Sequence, residues 1–295
     1  MIDMKYDIHI LRKEDKLFPT RLNILEDCPD ILYVLGNAGI LNDFAIAIVG
    51  SRSCDEYGKS VTEDFSRELA QSGVCVISGL AEGIDTYAHK GALAGNGKTI
   101  AVLGSGFAHI FPASNKQLLE EIIESGGAIV SEYLPDQVPM SMCFPRRNRI
   151  VAAMTEGTLV TQAREKSGAL ITAKLARHYG KKLFAVPGDL NNRKRAGSNS
   201  LFKMGAKMVV EEKDILNEFP DYHFSAVKKS KKKTSNRLPP EKYANTYLLL
   251  QNGPIHMSEL CRISKQGAGQ VMSDLTMLEM QGFVKQLAGG FYTMI

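Results

Sequence analysis

Seven short apolar runs, separated by stretches of helical periodicity, constrain the fold of this chain more than any other feature. The runs are residues 45–49, 74–78, 99–103, 128–131, 158–161, 182–186 and 206–210. Short uninterrupted apolar runs are typical of strands that are buried on both faces of a parallel sheet. Strands that alternate with helices form right-handed βαβ units. The pattern therefore predicts an α/β fold with a doubly wound sheet.

The chain on either side of this pattern is predicted to form separate parts. Residues 1–44 are an N-terminal lead-in with one short helix, and residues 45–220 form the sheet domain. Residues 221–237 are polar and lysine-rich, which is typical of a basic flexible linker. The pattern of residues 238–295 predicts three helices and then a hairpin, at 241–251, 257–263, 267–281 and 283–293. That order predicts a small C-terminal winged-helix domain.

The composition limits the classes of protein to which the chain can belong. No apolar stretch reaches the length of a transmembrane helix, and the first residues lack the apolar core of a signal peptide. Five cysteines without CxxC spacing predict reduced thiols and a cytoplasmic protein rather than structural zinc. The sequence has no cluster of carboxylates, histidines or cysteines with metal-ligand spacing. No metal and no cofactor is therefore predicted.

The net charge of +4 is distributed unevenly along the chain. Six lysines and arginines lie within residues 221–237 against a single aspartate, whereas residues 1–220 have a net charge of −1. Overall basicity therefore does not predict that the sheet domain binds nucleic acid. A site for a polyanion would require cations that are concentrated in one place.

One such concentration lies at the predicted start of a helix. The segment consists of Phe144, Pro145, Arg146, Arg147, Asn148 and Arg149. Proline is favoured in the first turn of a helix, where the dipole and unpaired N–H groups attract anions. A solvated basic turn is the alternative interpretation. The apolar residues 150–153 follow directly, which favours a docked helix and a phosphate site.

Loops of small residues follow several of the predicted strands. The loop residues predicted to bind an anion are Gly50, Ser51, Arg52, Ser78, Gly79, Gly83, Ser167 and Gly168. Ligands of a doubly wound sheet lie outside the carboxyl ends of its strands, so these loops and the arginine segment predict a phosphate-binding crevice. Neither a dinucleotide fingerprint nor a P-loop is present in the required position.

The sequence contains binding chemistry and little sign of catalysis. Asp85 is predicted to cap a helix, and His89 is predicted to be packed or solvated rather than a ligand. No serine lies in a nucleophile-elbow pattern. We therefore expect a binding protein and not an enzyme.

Five motifs taken together resemble the DNA-processing protein DprA (Smf) family. They lie, in order, at residues 48–52, 78–85, 144–150, 167–173 and 185–188. The resemblance implies an extended Rossmann-like, mostly parallel sheet that binds single-stranded DNA taken up in natural transformation. It also implies that the protein protects this strand, forms a homodimer and helps to load the RecA recombinase. By motif, Arg52 and the arginines of residues 146–149 would contact DNA phosphates.

One motif departs from the family pattern. Where members usually have a Val-Glu-Ala run, this chain has Thr161-Gln162-Ala163, which removes a carboxylate. Chemistry that depends on an acid at this position is therefore less plausible, whereas a phosphate-binding role is unaffected.

Single-strand binders usually add aromatic side chains on which bases stack. The candidates near strand ends are Phe107, Phe111, Tyr133 and Phe144, of which Phe144 is the strongest because it adjoins the arginines. In the winged helix, the helix at 267–281 has no lysine or arginine and carries Asp274 and Glu279. Weak or no reading of duplex DNA is therefore predicted for this domain, and a protein contact is favoured.

Two alternative functions stay open from the residues alone. The chain could be a nucleotide-processing enzyme of the lysine-decarboxylase-like phosphoribohydrolase type, although no PGGxGT loop is present. It could also be a transcription regulator that acts through the winged helix.

Overall fold

The computed structural model describes residues 6–225, 240–250, 253–287 and 289–294. The chain divides into two compact units, Met1–Ser230 and Lys231–Ile295. Within the described ranges, no helix is both long and apolar enough to cross a lipid bilayer.

The first unit contains a nine-stranded sheet. Its strands are β1 (Ile8–Arg12), β2 (Ile31–Gly36), β3 (Ala45–Val49), β4 (Cys75–Ser78), β5 (Thr99–Val102), β6 (Ala128–Ser131), β7 (Gly157–Val160), β8 (Lys182–Ala185) and β9 (Lys207–Met208). Their spatial order is β1-β2-β6-β5-β4-β3-β7-β8-β9. Strands β3 to β9 run parallel, whereas β1 and β2 are antiparallel to their neighbours. Each of the seven predicted runs overlaps a strand, so the α/β prediction is confirmed.

Helices cover both faces of this sheet. They are α1 (Glu56–Gln71), α2 (Ile84–Ala94), α3 (Lys116–Glu124), α4 (Cys143–Ala153), α5 (Ala169–His178), α6 (Ala196–Ser200) and α7 (Glu212–Leu216). Successive side chains of a strand point to opposite faces. Ala47 of β3 therefore lies in one core with Val151 of α4. Its neighbours Ile46 and Ile48 lie in the other core with Leu69 of α1, which explains why the whole run is apolar.

The lead-in is part of the sheet, which the sequence does not predict. Strand β2 pairs with β6, and β1 adds the outer edge, so residues before 45 extend the sheet by two strands. The expected short helix is a 3-10 turn at Thr20–Ile24. Strand β1 escapes detection because an edge strand has only one neighbour, and most of its side chains are exposed or half-buried.

The predicted linker begins later than residue 221. Tyr222 and Phe224 pack on Phe44, with ring centroids 4.2 and 5.1 Å from its own. These residues therefore belong to the first unit. Residues 226–237 of the predicted linker lie outside the described residues.

The second unit is the predicted winged helix. Its described elements are α8 (Ala244–Leu249), β10 (Ile255–His256), α9 (Met257–Ser264), α10 (Ala268–Met280), β11 (Val284–Leu287) and β12 (Phe291–Met294). The strands form a small sheet in the order β10-β12-β11. Asp274 of α10 is buried and accepts hydrogen bonds from Thr246 Oγ1 (2.9 Å) and Gln270 Nε2 (2.7 Å). This carboxylate fixes α10 against α8 and is not available as a surface group.

Candidate nucleic-acid interface

A crevice of about 720 Å³ lies at the carboxyl ends of β3, β4 and β7, beside the first turn of α4. Most of the predicted site residues line it: Gly50, Ser51, Arg52, Gly79, Phe144, Arg147, Asn148, Ser167 and Gly168. The structure thus brings together four segments that are far apart in sequence. Four predicted residues, Ser78, Gly83, Arg146 and Arg149, are not part of its lining.

Ser78 and Gly83 hold the end of β4 and the loop after it against β3 and the loop that carries Arg52. The Ser78 hydroxyl is buried and donates to the carbonyl of Ile48 at 2.6 Å. Gly83 has φ +76°, and a Cβ atom there would collide with the carbonyl oxygen of Ser51. Glycine thus allows the loop after β4 to press against the loop that carries Arg52.

Arg147 lines the crevice but is a structural residue. Its guanidinium donates from Nη1 to the carbonyl of Gly79 at 2.5 Å and to that of Val102, and its side chain is buried. It therefore ties α4 to the ends of β4 and β5. Burial raises the pKa of the Asp85 carboxyl, and the positive charge of Arg147 opposes that shift. The predicted direct phosphate contact of Arg147 would have to compete with these hydrogen bonds.

Arg146 and Arg149 point away from the crevice lining. Arg149 is nearly buried, with Nε 2.9 Å from Asp27 Oδ2 and Nη2 2.6 Å from Glu132 Oε2. Arg146 is exposed, and its Nε lies 3.6 Å from the same Glu132 oxygen. Successive helix residues are rotated by about 100°, so Arg147 points away from Arg146, whereas Arg146 and Arg149 lie on one face of α4 and share Glu132. Of the three arginines only Arg147 lines the crevice, and a phosphate contact by any of them stays a prediction.

Three exposed cations line the crevice, namely Arg52, Arg164 and Lys166. None of them has an ion-pair partner among the residues that the structure describes, so their charges are available to an anion. Arg164 and Lys166 are not among the residues predicted from the sequence. Their position directly after a predicted strand and before Ser167-Gly168 is the signal that could have found them.

An aromatic pair lies beside these cations. The ring centroids of Phe111 and Phe144 are 5.5 Å apart, and Phe111 is 49% exposed. The Arg52 guanidinium carbon lies 5.6 Å from the centroid of Phe144. Of the four predicted stacking candidates, Phe107 and Tyr133 are buried and cannot receive a base. The crevice therefore combines cations with an exposed aromatic ring, a combination that is typical of proteins that bind single-stranded nucleic acid.

The Thr161-Gln162 departure has a structural role. Gln162 is fully buried, and its Oε1 accepts from the backbone N–H of Asp55 at 3.1 Å. The Thr161 hydroxyl lies 2.7 Å from that of Thr62. Both side chains attach the end of β7 to the start of α1, so they position the walls of the crevice.

His89 is packed in the interior, which is one of the two positions predicted for it. The ring is fully buried on α2, and Nδ1 lies 2.7 Å from the Thr99 hydroxyl oxygen. Burial, reinforced by the positive charge of Arg147, lowers the pKa of His89 to about 3. The imidazole is therefore neutral in the folded protein at any pH near neutrality.

We expect this histidine to make the protein less stable in mild acid. Below about pH 6.5, the ordinary pKa of histidine, His89 is protonated in the unfolded state but stays neutral in the folded state. The free energy of unfolding therefore falls as the pH falls towards 3. Between pH 7 and pH 5 the loss attributable to His89 is about 2 kcal/mol. Urea unfolding followed by circular dichroism at both pH values measures it. His89→Asn, which cannot titrate, should remove that part of the loss, and an unchanged pH dependence would contradict this assignment.

The exposed surface of α10 lacks cations. Its largest exposed side chains are Met272, Met277 and Met280, and the helix contains no lysine or arginine. Phosphate contacts dominate the affinity for duplex DNA, so weak duplex binding by this unit stays a prediction.

Comparison with known proteins identifies relatives of both units. Residues 9–220 match the family model described as DNA recombination-mediator protein A, and residues 234–290 match the DprA winged helix domain. Protein Smf of Escherichia coli (strain K12) is 35% identical over 291 residues, which cover 96% of this chain and 76% of that protein. DNA processing protein DprA of Streptococcus pneumoniae is 38% identical over 205 residues, 70% of this chain and 72% of that protein.

Two solved structures have the same fold as the first unit. DNA processing protein A from Streptococcus pneumoniae superposes with a TM-score of 0.67 at 36% identity, covering 73% of this chain and 75% of that chain. The protein of the same name from Helicobacter pylori, whose structure concerns its single-stranded DNA binding mode, also gives 0.67. It is 33% identical and covers 74% of this chain and 99% of that chain.

Proposed function

Because this chain belongs to the DNA recombination-mediator protein A family, we propose that it binds single-stranded DNA in the crevice at the carboxyl edge of its sheet. The observation that carries the proposal is the grouping of Arg52, Arg164 and Lys166 around the Phe111–Phe144 pair. The cations would contact successive phosphates, and the exposed ring of Phe111 would stack on an unpaired base. The H. pylori relative, which binds single-stranded DNA, supports this assignment.

The salt dependence of binding tests this proposal with the full-length protein. Each phosphate neutralised on a single strand contributes about −0.7 to the slope of log affinity against log salt concentration. Three contacts should therefore give a slope of about −2. Fluorescence anisotropy of a labelled oligothymidylate across a salt series measures it.

A duplex of the same length is the control for this experiment. The bases of a duplex are already stacked on one another and cannot stack on Phe111. We therefore expect the affinity for the duplex to be lower by at least about tenfold. Equal affinity for the two forms would contradict a site built for unpaired bases.

We also propose that the protein protects DNA taken up in natural transformation and helps to load the RecA recombinase onto it. This role follows from the family, and a reducing cytoplasm suits its five free thiols. Slower exonuclease digestion of bound oligonucleotides would test protection. Faster assembly of RecA filaments on strands that carry this protein would test loading.

A homodimer is proposed on the same family grounds. Light scattering in solution should give twice the 32.4 kDa mass of one chain. A monomer at every accessible concentration would contradict it.

We propose no catalytic activity for the crevice. Gln162 stands where family members usually have a carboxylate, and its amide is engaged with the backbone of Asp55. Asp85 is held at the crevice floor, nearly buried. Release of free base from nucleoside monophosphates incubated with the protein would instead favour the phosphoribohydrolase alternative.

A further inference from the structure

A second, smaller cavity opens beyond the crevice, at the carboxyl end of β8. It has a volume of about 440 Å³ and is lined by Tyr57, Pro187, Gly188, Asp189 and Arg195. The tyrosine is 50% exposed, and the Arg195 guanidinium carbon lies 4.5 Å from its ring centroid. An exposed ring with a cation stacked against it is a surface on which a nucleobase can stack.

The arginine beneath this ring is rigidly held. Arg195 is nearly buried, and its Nη2 lies 3.3 Å from both carboxylate oxygens of Asp55. Asp55 is itself fixed, because Oδ1 accepts from the N–H of Gly58 at 2.9 Å in the first turn of α1. A Cβ atom at position 188 would overlap the Arg195 side chain, so glycine is required there. The ring and its supporting cation therefore form a platform that is in place before any ligand arrives.

Backbone hydrogen bonds and chain connectivity join the platform to the crevice. The N–H groups of Gly197 and Ser198 donate to the carbonyl of Ala163, at 2.9 and 3.1 Å, directly before the crevice residue Arg164. On the other wall, the loop that carries Arg52 runs into Asp55 and Tyr57. The two cavities share no lining residue, but on each side the chain beside the crevice is joined to the chain beside the second cavity. Arg193, exposed, and Lys194, half-buried, add positive charge beside the second cavity.

We propose that single-stranded DNA that leaves the crevice past Arg164 stacks one of its bases on Tyr57. This inference rests on the proposed binding of single-stranded DNA and adds a second stacking site to it. The Asp189 carboxylate, which lines the same cavity, can accept a hydrogen bond from an N–H group of the stacked base.

Negative charge near Tyr57 limits how far the bound DNA can extend beyond this residue. Tyr57 also lines a third cavity of about 500 Å³, whose lining contains four carboxylates: Asp64, Glu68, Glu211 and Glu212. Its one cation, Arg67, is 2.6 Å from Asp64 and is thereby neutralised. Phosphates are repelled from such a surface. Affinity should therefore stop rising with oligonucleotide length once the strand reaches Tyr57.

The chain contains no tryptophan, so a single introduced tryptophan reports on one site. Two variants are compared in the full-length protein, Tyr57→Trp for the platform and Phe111→Trp for the crevice. Stacking with a base should quench the indole fluorescence. With a ladder of oligothymidylates, we expect Phe111→Trp to be quenched by shorter strands than Tyr57→Trp, and both by long strands at the same concentration. Tyr57→Leu should weaken binding of long strands about 5- to 150-fold, whereas Tyr57→Phe should not.

The outcomes separate this inference from the function on which it rests. Quenching of Phe111→Trp alone, at every length, would overturn the Tyr57 platform and leave crevice binding intact. Quenching of neither variant would overturn both. Quenching of Tyr57→Trp alone, or of both variants by equally short strands, would show that the platform does not continue the crevice and would also overturn the inference.

Discussion

Replacing Arg52, Arg164 and Lys166 together by alanine should lower the affinity for single-stranded DNA by at least about 100-fold at moderate salt. Each charge-assisted contact to a phosphate contributes on the order of 1 to 2 kcal/mol, and the three side chains line one crevice. The salt dependence should flatten as well, because three fewer counterions are released and the slope loses about 2. Anisotropy titrations of the wild type and the variant across a salt series measure both effects.

A matched control variant distinguishes binding in the crevice from attraction of DNA by the net charge of the protein. Arg146, Lys174 and Arg177 are exposed, lie outside the crevice lining and carry the same total charge. Their triple replacement by alanine changes the net charge equally but leaves the crevice intact. We expect it to reduce affinity only slightly. Equal losses in the two triple variants would mean that DNA is attracted by net charge alone, and the crevice assignment would fail.

Arg147→Met should produce the largest loss of stability of any arginine substitution in α4, about 3 kcal/mol or more. The substitution leaves the carbonyls of Gly79 and Val102 without their buried donor and removes the positive charge nearest to the buried Asp85. Urea denaturation followed by circular dichroism measures the change. Arg146→Met is the matched control, because that side chain is exposed and its loss should cost less than about 0.5 kcal/mol.

The same variant tests which role Arg147 has. If the side chain is structural, Arg147→Met unfolds at lower urea concentration, and any loss of binding follows the loss of folded protein. If Arg147→Met unfolds like the wild type yet no longer binds DNA, Arg147 is a phosphate ligand, as its position in the sequence alone suggests.

The apolar runs determine the seven parallel strands of the sheet without help from tertiary structure. A strand covered on both faces needs apolar side chains at every position, and this requirement is local and visible in β3 and β4. The glycine- and serine-rich loops that follow them are equally visible, because the ends of parallel strands are where ligands bind. The general location of the crevice and the winged helix could therefore be predicted.

The direction of each arginine side chain, by contrast, was decided only by the tertiary structure. Arg146, Arg147 and Arg149 form one cluster in sequence, yet the helix turns Arg147 away from the other two, and the partners of all three come from distant segments. Asp27 and Glu132, which hold Arg149, have no relation to it in the sequence. Arg164 and Lys166 take the expected place of that cluster because β7 pairs with β3, which brings the chain after β7 beside the loop that carries Arg52. A local pattern specifies a strand or a helix, but the partner of a charged side chain depends on which segments the fold brings together.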